Sequence, residues 1–292
     1  MIITSLSNSK SIAKSLARKL KCKYSGTTIS SFPDGDLYLK FNTNLKKKKL
    51  VIVQSFQPHS DMSLFDIVFA AETAKSLGAK KVILVAPYLA YMRQDKRFNS
   101  GECISSRVMA KMLNNSIDKL ITIDPHIHRY KSLKDIFTIS AKKLTANPLI
   151  AEYIQKKFKN EVIIGPDWES YQWAESIAKH VQATVLKKTR FSSRHVEVKM
   201  IKPVPIKGKN VIIVDDIIST GHTVAEAAKK ARKMGAKSVS AIGVHGLFVE
   251  NGMEKLKKAG VNKIITTNCI EHKTNKIDVT PLLFNELKRE KK

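Results

Sequence analysis

The densest chemistry in this 292-residue chain lies in the segment VIIVDDIISTGHT, Val211–Thr223. An apolar strand ends in two adjacent carboxylates, Asp215 and Asp216, and Ser219, Thr220, Gly221, His222 and Thr223 then lead into a helix. Small side chains and a glycine at a helix start leave backbone N–H groups uncovered at the positive end of the helix, which suits a phosphate. The segment lacks Gly-Lys-Ser/Thr, so it is not the loop of a P-loop nucleotide-binding protein. Carboxylates beside a phosphate would repel it. They must face something else, and a sugar diol or a magnesium ion supplies that partner. A strand end with Ser219 as helix cap would account for some of these residues without any ligand. The conjunction of acids, hydroxyls, glycine and strand favours a binding loop.

Five further clusters carry reactive or charge-bearing side chains. SFPDGDLYLK offers Phe32, Asp34, Gly35 and Asp36, where an aromatic face can stack on a purine and a carboxylate can accept from an amine or hydroxyl, although Pro-Asp-Gly also forms turns unaided. APYLAYMRQDKRF carries Arg93, Gln94, Asp95, Lys96 and Arg97 after a strand, and the planar arginine fork suits phosphate oxygens. Asp124, His126 and His128 end another strand in ITIDPHIHRY. Asp167 follows a fourth strand in GPDWESYQWAE, and Lys187, Lys188 and Arg190 lie in VLKKTRFSSRHVEV.

These clusters must be positioned by strand ends. Apolar runs at Leu50–Val53, Val82–Val85, Leu120–Ile123, Val162–Ile164, Val211–Val214 and Val239–Gly243 read as strands. Helical patterns such as Ser63–Leu77 and Thr223–Met234 lie between them. The alternation predicts an α/β protein with mostly parallel sheets flanked by helices. Residues 50–88 and 210–246 share one grammar: strand, loop, helix, Leu-Gly or Met-Gly stop, Ala-Lys, strand. Gly78 and Gly235 hold the same place, that of a left-handed residue ending a helix. The repeat predicts two related domains, residues 1–143 and 144–292, with the boundary in the charged stretch before Pro148.

Composition narrows the function classes. The length suffices for two cores, and no run approaches the roughly 20 apolar residues of a membrane helix. Cys22, Cys103 and Cys269 are far apart and form no CxxC, which points to a reducing cytoplasm and no cysteine-based zinc site. Net charge is +27, but the lysines are spread along the chain and accompany no zinc-finger, recognition-helix or RNP-like pattern. Charge of this kind steers small anions, and a dedicated nucleic-acid role is not expected.

Val211–Thr223 resembles the motif for 5-phosphoribosyl 1-pyrophosphate (PRPP) shared by type I phosphoribosyltransferases and PRPP synthetases. The remaining motifs are similar to those of the synthetases alone and occur in the same order. The resemblance implies two domains of type I phosphoribosyltransferase-like fold, the first serving ATP and the second ribose 5-phosphate. It implies that Phe32, Asp34, Gly35, Asp36, Arg93 and Gln94 bind ATP, that His126 and Asp167 hold Mg2+, and that Lys188 and Arg190 are catalytic, with Lys187 an alternative to Lys188. Arg190, Asp215, Asp216 and Ser219–Thr223 would bind ribose 5-phosphate. A homo-oligomer is expected of the family. The chain departs from it after Asp167, where Trp168, Glu169 and Ser170 replace a Gly-Gly. Two other readings fit parts of the pattern: a phosphoribosyltransferase that uses no ATP, and a non-catalytic subunit associated with PRPP synthetases.

Overall fold

The computed structural model describes residues 1–158, 161–166, 174, 177 and 206–291, and the backbone of 186–190 and 196–200. The chain divides into two compact units, Met1–Thr145 with Thr280–Lys292 and Ala146–Val279.

The first unit begins with β1 (Ile2–Ser5), α1 (Lys10–Leu20), β2 (Lys23–Tyr24), and the antiparallel hairpin β3 (Thr27–Ser31) and β4 (Leu37–Phe41). β5 (Lys49–Val53), α2 (Ser60–Ser76), β6 (Lys81–Ala86), α3 (Ser105–Ser116), β7 (Lys119–Ile123) and β8 (Ser140–Leu144) follow. Its six-stranded sheet has the order β2-β1-β5-β6-β7-β8 and is parallel throughout. Leu50–Val53 and Val82–Ala86 are buried along their whole length, as strands covered on both faces require. The chain folds to both sides of β1, so β1 and β5 flank the point where strand order reverses.

The second unit contains α4 (Asn147–Lys157), β9 (Glu161–Ile164), an antiparallel pair β10 (Leu186–Arg190) and β11 (Val196–Met200), β12 (Asn210–Ile218) and α5 (His222–Lys233). β13 (Ser238–Gly246), α6 (Gly252–Lys258), β14 (Lys263–Thr267) and β15 (Asn275–Ile277) complete it. Its five-stranded parallel sheet runs β15-β14-β13-β12-β9. Val224, Ala225, Ala227, Ala228 and Ala231 form the buried stripe of α5. Small residues at this helical spacing let the helix lie close on Val211, Ile213 and Val239.

Three differences from the sequence reading have physical causes. The charged stretch Ser140–Leu144 is an edge strand; an edge tolerates lysines because one side stays solvated. β12 runs four residues past Val214, through the acids to Ile218, because β13 continues beside it as far as Gly246. The last helix, α7 (Thr280–Lys291), was expected with the second domain but packs in the first unit. Charge holds it there. Lys81 and Lys119 pair with Glu290 at 2.8 and 2.9 Å, and Lys119 also reaches Glu286 at 2.9 Å. Each of these lysines is the first residue of its strand, so α7 covers the amino-terminal edge of the sheet.

Candidate functional site

In the second unit the chemistry gathers where β12 becomes α5. Successive strand residues point to opposite faces, and accordingly Asp215 is buried while Asp216 is partly exposed. An oxygen of Asp215 accepts from the Asp216 N–H at 3.0 Å. The strand closes with the N–H groups of Leu247 and Phe248, which donate to the Ile218 carbonyl at 2.9 and 3.2 Å. Ser219 and Thr220 bend away, and Gly221 stands before the helix with a φ of 74°. A Cβ on Gly221 would lie 3.0 Å from the Gly252 carbonyl oxygen, and one on Gly252 would lie 2.9 Å from the Ser219 carbonyl oxygen. Backbone therefore packs on backbone, so glycine is required at Gly252 by shape and at Gly221 by shape and conformation. The first N–H groups of α5 have no carbonyl one turn back within the helix, and the dipole is positive there. This turn fits the anionic end of a ligand, with Asp215 and Asp216 one turn of chain behind it.

In the first unit three loops carry the expected ATP and metal residues. Phe32, Asp34, Gly35 and Asp36 form the exposed tip of the β3–β4 hairpin. The tip is shaped by Phe32 N–H donating to the Asp36 carbonyl at 2.8 Å and by Gly35 at a φ of 96°. Phe32 stands edge-on to Tyr38 at 5.6 Å and is 52% exposed, so ring surface remains for a planar ligand.

The loop after β6 is held at both ends. At the start Tyr91 sits at a φ of 65°, costly for a residue with a Cβ. Its hydroxyl donates to a carboxylate oxygen of Asp61, and burial together with that carboxylate pushes the phenol well above its usual range. Beyond it Arg93 is exposed, while the Gln94 side chain accepts from Ser105 Oγ at 2.8 Å and its carbonyl from Ser106 Oγ at 3.1 Å. The helix start Ser105–Ser106 thus fixes the orientation of Gln94. At the far end the Asp95 side chain is fully buried and accepts from Arg129 Nη1 at 2.7 Å.

The loop after β7 carries Asp124, His126 and His128. Asp124 is buried at a φ of 39°, and its N–H donates to the Leu144 carbonyl at 2.9 Å. His126 Nδ1 lies 3.1 Å from His128 Nε2, with the rings edge to face. This contact engages Nδ1 of His126 and fixes the two rings against each other. A magnesium ion takes mostly oxygen ligands and keeps several from water and phosphate. One imidazole nitrogen with a carboxylate fits an ion whose other positions are filled by a polyphosphate.

Asp167 lies outside the described residues. Lys187, Lys188 and Arg190 are described as backbone of β10, with Lys188 paired to Val198 and Arg190 to Val196. The structure places Arg93 and Gln94 on one loop and His126 and His128 on the next, and in the second unit it places Asp215–Thr223 across the end of β12, the turn and the start of α5. Sequence reasoning used Tyr91 only as part of the motif and missed Arg129 and Tyr130, since a strained φ and a pairing across 34 residues leave no local signature.

Comparison with known proteins bears on the same residues. The family model for the N-terminal domain of ribose phosphate pyrophosphokinase matches residues 1–116, and that for the phosphoribosyl transferase domain matches 132–282. A ribose-phosphate pyrophosphokinase of Methanobrevibacter smithii is 32% identical, covering 97% of this chain and 98% of its own. Those of Archaeoglobus fulgidus and Pyrococcus furiosus are each 35% identical, covering 94% and 92% of this chain and 96% and 95% of theirs. In fold the chain is similar to the phosphoribosylpyrophosphate synthetase of Mycobacterium smegmatis, with a TM-score of 0.85 at 23% identity, covering 99% of this chain and 98% of that one.

Proposed function

The chain belongs to the ribose-phosphate pyrophosphokinase family and is an enzyme of that activity, joining ATP and ribose 5-phosphate into PRPP and AMP, and from that premise we propose how its residues divide the work. The carrying observation is the β12–α5 turn, where Gly221 and Gly252 pack backbone on backbone at a helix start that follows the two acids of β12.

Ribose 5-phosphate rests its phosphate on Ser219, Thr220, Gly221, His222 and Thr223 and turns its sugar hydroxyls toward Asp215 and Asp216. Its 1-hydroxyl attacks the β-phosphorus of ATP in line, the β,γ-pyrophosphoryl group moves to the sugar, and AMP departs. Such transfers depend on positioning and on stabilising charge that spreads over phosphate oxygens. Arg93 and Gln94 orient the polyphosphate, and Phe32 offers its face to adenine while Asp34, Gly35 and Asp36 border the nucleoside. Lys188 and Arg190 bring positive charge to the reacting phosphate, and Arg190 also meets the sugar phosphate. Magnesium, held by His126 and Asp167, supplies further neutralisation of polyphosphate charge when bound. The enzyme works in the cytoplasm, where cysteines not joined in disulfides suit a reducing medium, and as a homo-oligomer.

Incubating the purified chain with ATP, Mg2+ and ribose 5-phosphate should yield AMP and PRPP in equal amounts. Lys188→Ala should lower turnover on the order of 10²- to 10³-fold with little change in ATP binding. Asp215→Ala should chiefly raise KM for ribose 5-phosphate. A loss of ATP affinity alone in that variant would refute the orientation given to the two substrates.

A further inference from the structure

The loops that follow β6 and β7 leave neighbouring parallel strands at the same edge of the sheet. One carries Arg93 and Gln94, the other His126. A set of contacts joins them. Asp95 accepts from Arg129 Nη1 at 2.7 Å, with the Asp95 side chain at 0% exposure and that of Arg129 at 42%. Tyr130 Oη donates to the Asp95 carbonyl at 3.2 Å and lies 2.9 Å from Ser106 Oγ, the hydroxyl that serves the Gln94 carbonyl. The Arg129 guanidinium also lies 5.3 Å from the centre of the Phe98 ring, on the far side of the same loop.

Burying a carboxylate is costly, and a single cationic donor offsets that cost only while its geometry holds. The second oxygen of Asp95 is buried with no hydrogen-bond partner. Asp95 therefore depends on Arg129. Because Arg129 stands three residues after His126, and Asp95 follows Gln94 directly, any shift of one loop pulls on the other.

We propose that Asp95, Arg129 and Tyr130 form a clamp that sets Arg93 and Gln94 at a fixed spacing from His126, so that polyphosphate and metal are bound as one unit. They are positioning residues, since they act through Gln94 and His126. The clamp rests on the roles given above to Arg93, Gln94 and His126. It has a consequence that simple packing would not have: the effects of breaking it and of removing His126 must overlap.

Steady-state kinetics on the full chain tests this, with assays run well below the unfolding temperature of each variant. Arg129→Ala should raise KM for ATP and the Mg2+ concentration for half-maximal rate on the order of tenfold, leaving KM for ribose 5-phosphate unchanged. Arg129→Lys, which keeps the charge and one donor, should recover part of the loss. In a His126→Ala background, adding Arg129→Ala should change KM for ATP by less than about twofold, because interacting residues are non-additive. Should Arg129→Ala fail to fold, the pair Asp95→Leu with Arg129→Met, which removes the contact without leaving a buried charge unpaired, takes its place. The clamp is overturned if KM for ATP stays within about twofold of the parent, if both substrates suffer equally, or if the Arg129 and His126 effects multiply. Failure of the parent chain to make PRPP would instead overturn the underlying assignment.

Discussion

After β5 the chain turns through Gln54–His59 into α2, and after β12 it turns through Ser219–Gly221 into α5. At the opposite ends of these helices the two stretches agree bond for bond. Gly78 N–H donates to the Lys75 carbonyl and Gly235 N–H to the Arg232 carbonyl, both at 2.9 Å. Ala79 reaches Ala74 at 2.9 Å and Ala236 reaches Ala231 at 3.1 Å. Each glycine carbonyl then accepts from the stretch preceding the first strand, from Lys47 at 2.7 Å and from Gly208 at 2.8 Å. At the loop ends the agreement stops. Gln54 is fully buried; its amide donates to Ser7 Oγ at 2.6 Å and Ser63 Oγ at 3.2 Å, and its oxygen accepts from Asn8 N–H at 3.2 Å. Ser55 N–H donates to Asn8 Oδ1 at 2.9 Å. The first loop consumes its polar groups internally. The second presents a glycine turn and two acids, and under the proposed function it is the ligand joint and the first a scaffold joint.

The sharpest way to break that distinction is to damage each loop in turn. Gly221→Ala forces a side chain into a backbone at φ 74° and 3.0 Å from the Gly252 carbonyl. Initial rates should show KM for ribose 5-phosphate rising roughly 10- to 100-fold. Gln54→Leu leaves Ser7, Ser63 and the Asn8 N–H without their buried partner and should cost about 2 kcal/mol of stability in denaturant titration, with that KM unchanged. If Gln54→Leu raised KM as Gly221→Ala does, both loops would serve the substrate.

How much of this was legible beforehand follows from the same contrast. The six strands and the helix-ending glycines stood out because apolar runs and Gly-Ala-Lys stops are local signals. The hydroxyl loop was visible for the same reason. Gln54 was not, since a buried amide has meaning only beside Asn8 and Ser63. The hairpin β3–β4 lacks the alternation of a buried strand, its residues being partly or wholly exposed. α7 carries Lys288, Arg289 and Lys291 in its last turn, and only the fold reveals that Glu286 and Glu290 face the lysines of three strands. Those lysines lie up to 241 residues away.

The amino-terminal edges of the two sheets differ as well, with a smaller expected effect. In the first unit Lys49, Lys81 and Lys119 open β5, β6 and β7 and meet α7, Lys49 donating to the Glu290 carbonyl at 2.7 Å. In the second unit Asn210 and Ser238 open β12 and β13, and Ser238 Oγ donates to Asn210 Oδ1 at 2.7 Å. The first edge closes on ion pairs with α7, whereas the second has a neutral hydrogen bond between its central strands, with Glu161 and Lys263 opening β9 and β14 on either side. The hydrogen bond from Lys81 leads the causes that draw the Glu290 carboxyl from 4.5 down to about 2. A depressed acid stabilises the fold above its unfolded value and loses that contribution as pH falls from about 4.5 toward 2. Burial pulls the Lys119 ammonium down, but its bonds to Glu286 and Glu290 outweigh this and leave it above 10.5, so its contribution fades only as pH rises past that value. Glu290→Gln should cost about 1–2 kcal/mol near neutrality. Thermal scans from pH 7 to pH 3 should show a shallower acid decline than in the parent. Parallel declines would detach the ion pairs from the stability of this edge.

The finest test concerns the joints that agree. Gly78 and Gly235 have φ of 79° and 83°, and alanine at either should cost about 1 kcal/mol because its Cβ crowds the carbonyl in the left-handed region. The surroundings then separate the pair. A Cβ at position 78 would lie 3.6 Å from Lys46 Cγ, an ordinary contact, whereas at 235 it would lie 3.2 Å from Lys207 Cγ, tighter than packing normally allows. Lysine methylenes yield readily, so Gly235→Ala should be only slightly the more harmful. Calorimetry should place both variants roughly 2–4 °C below the parent, with neither KM altered. A Gly235→Ala loss several times that of Gly78→Ala would mean that the second helix end carries strain the first does not, and that the likeness of the two joints ends at their hydrogen bonds.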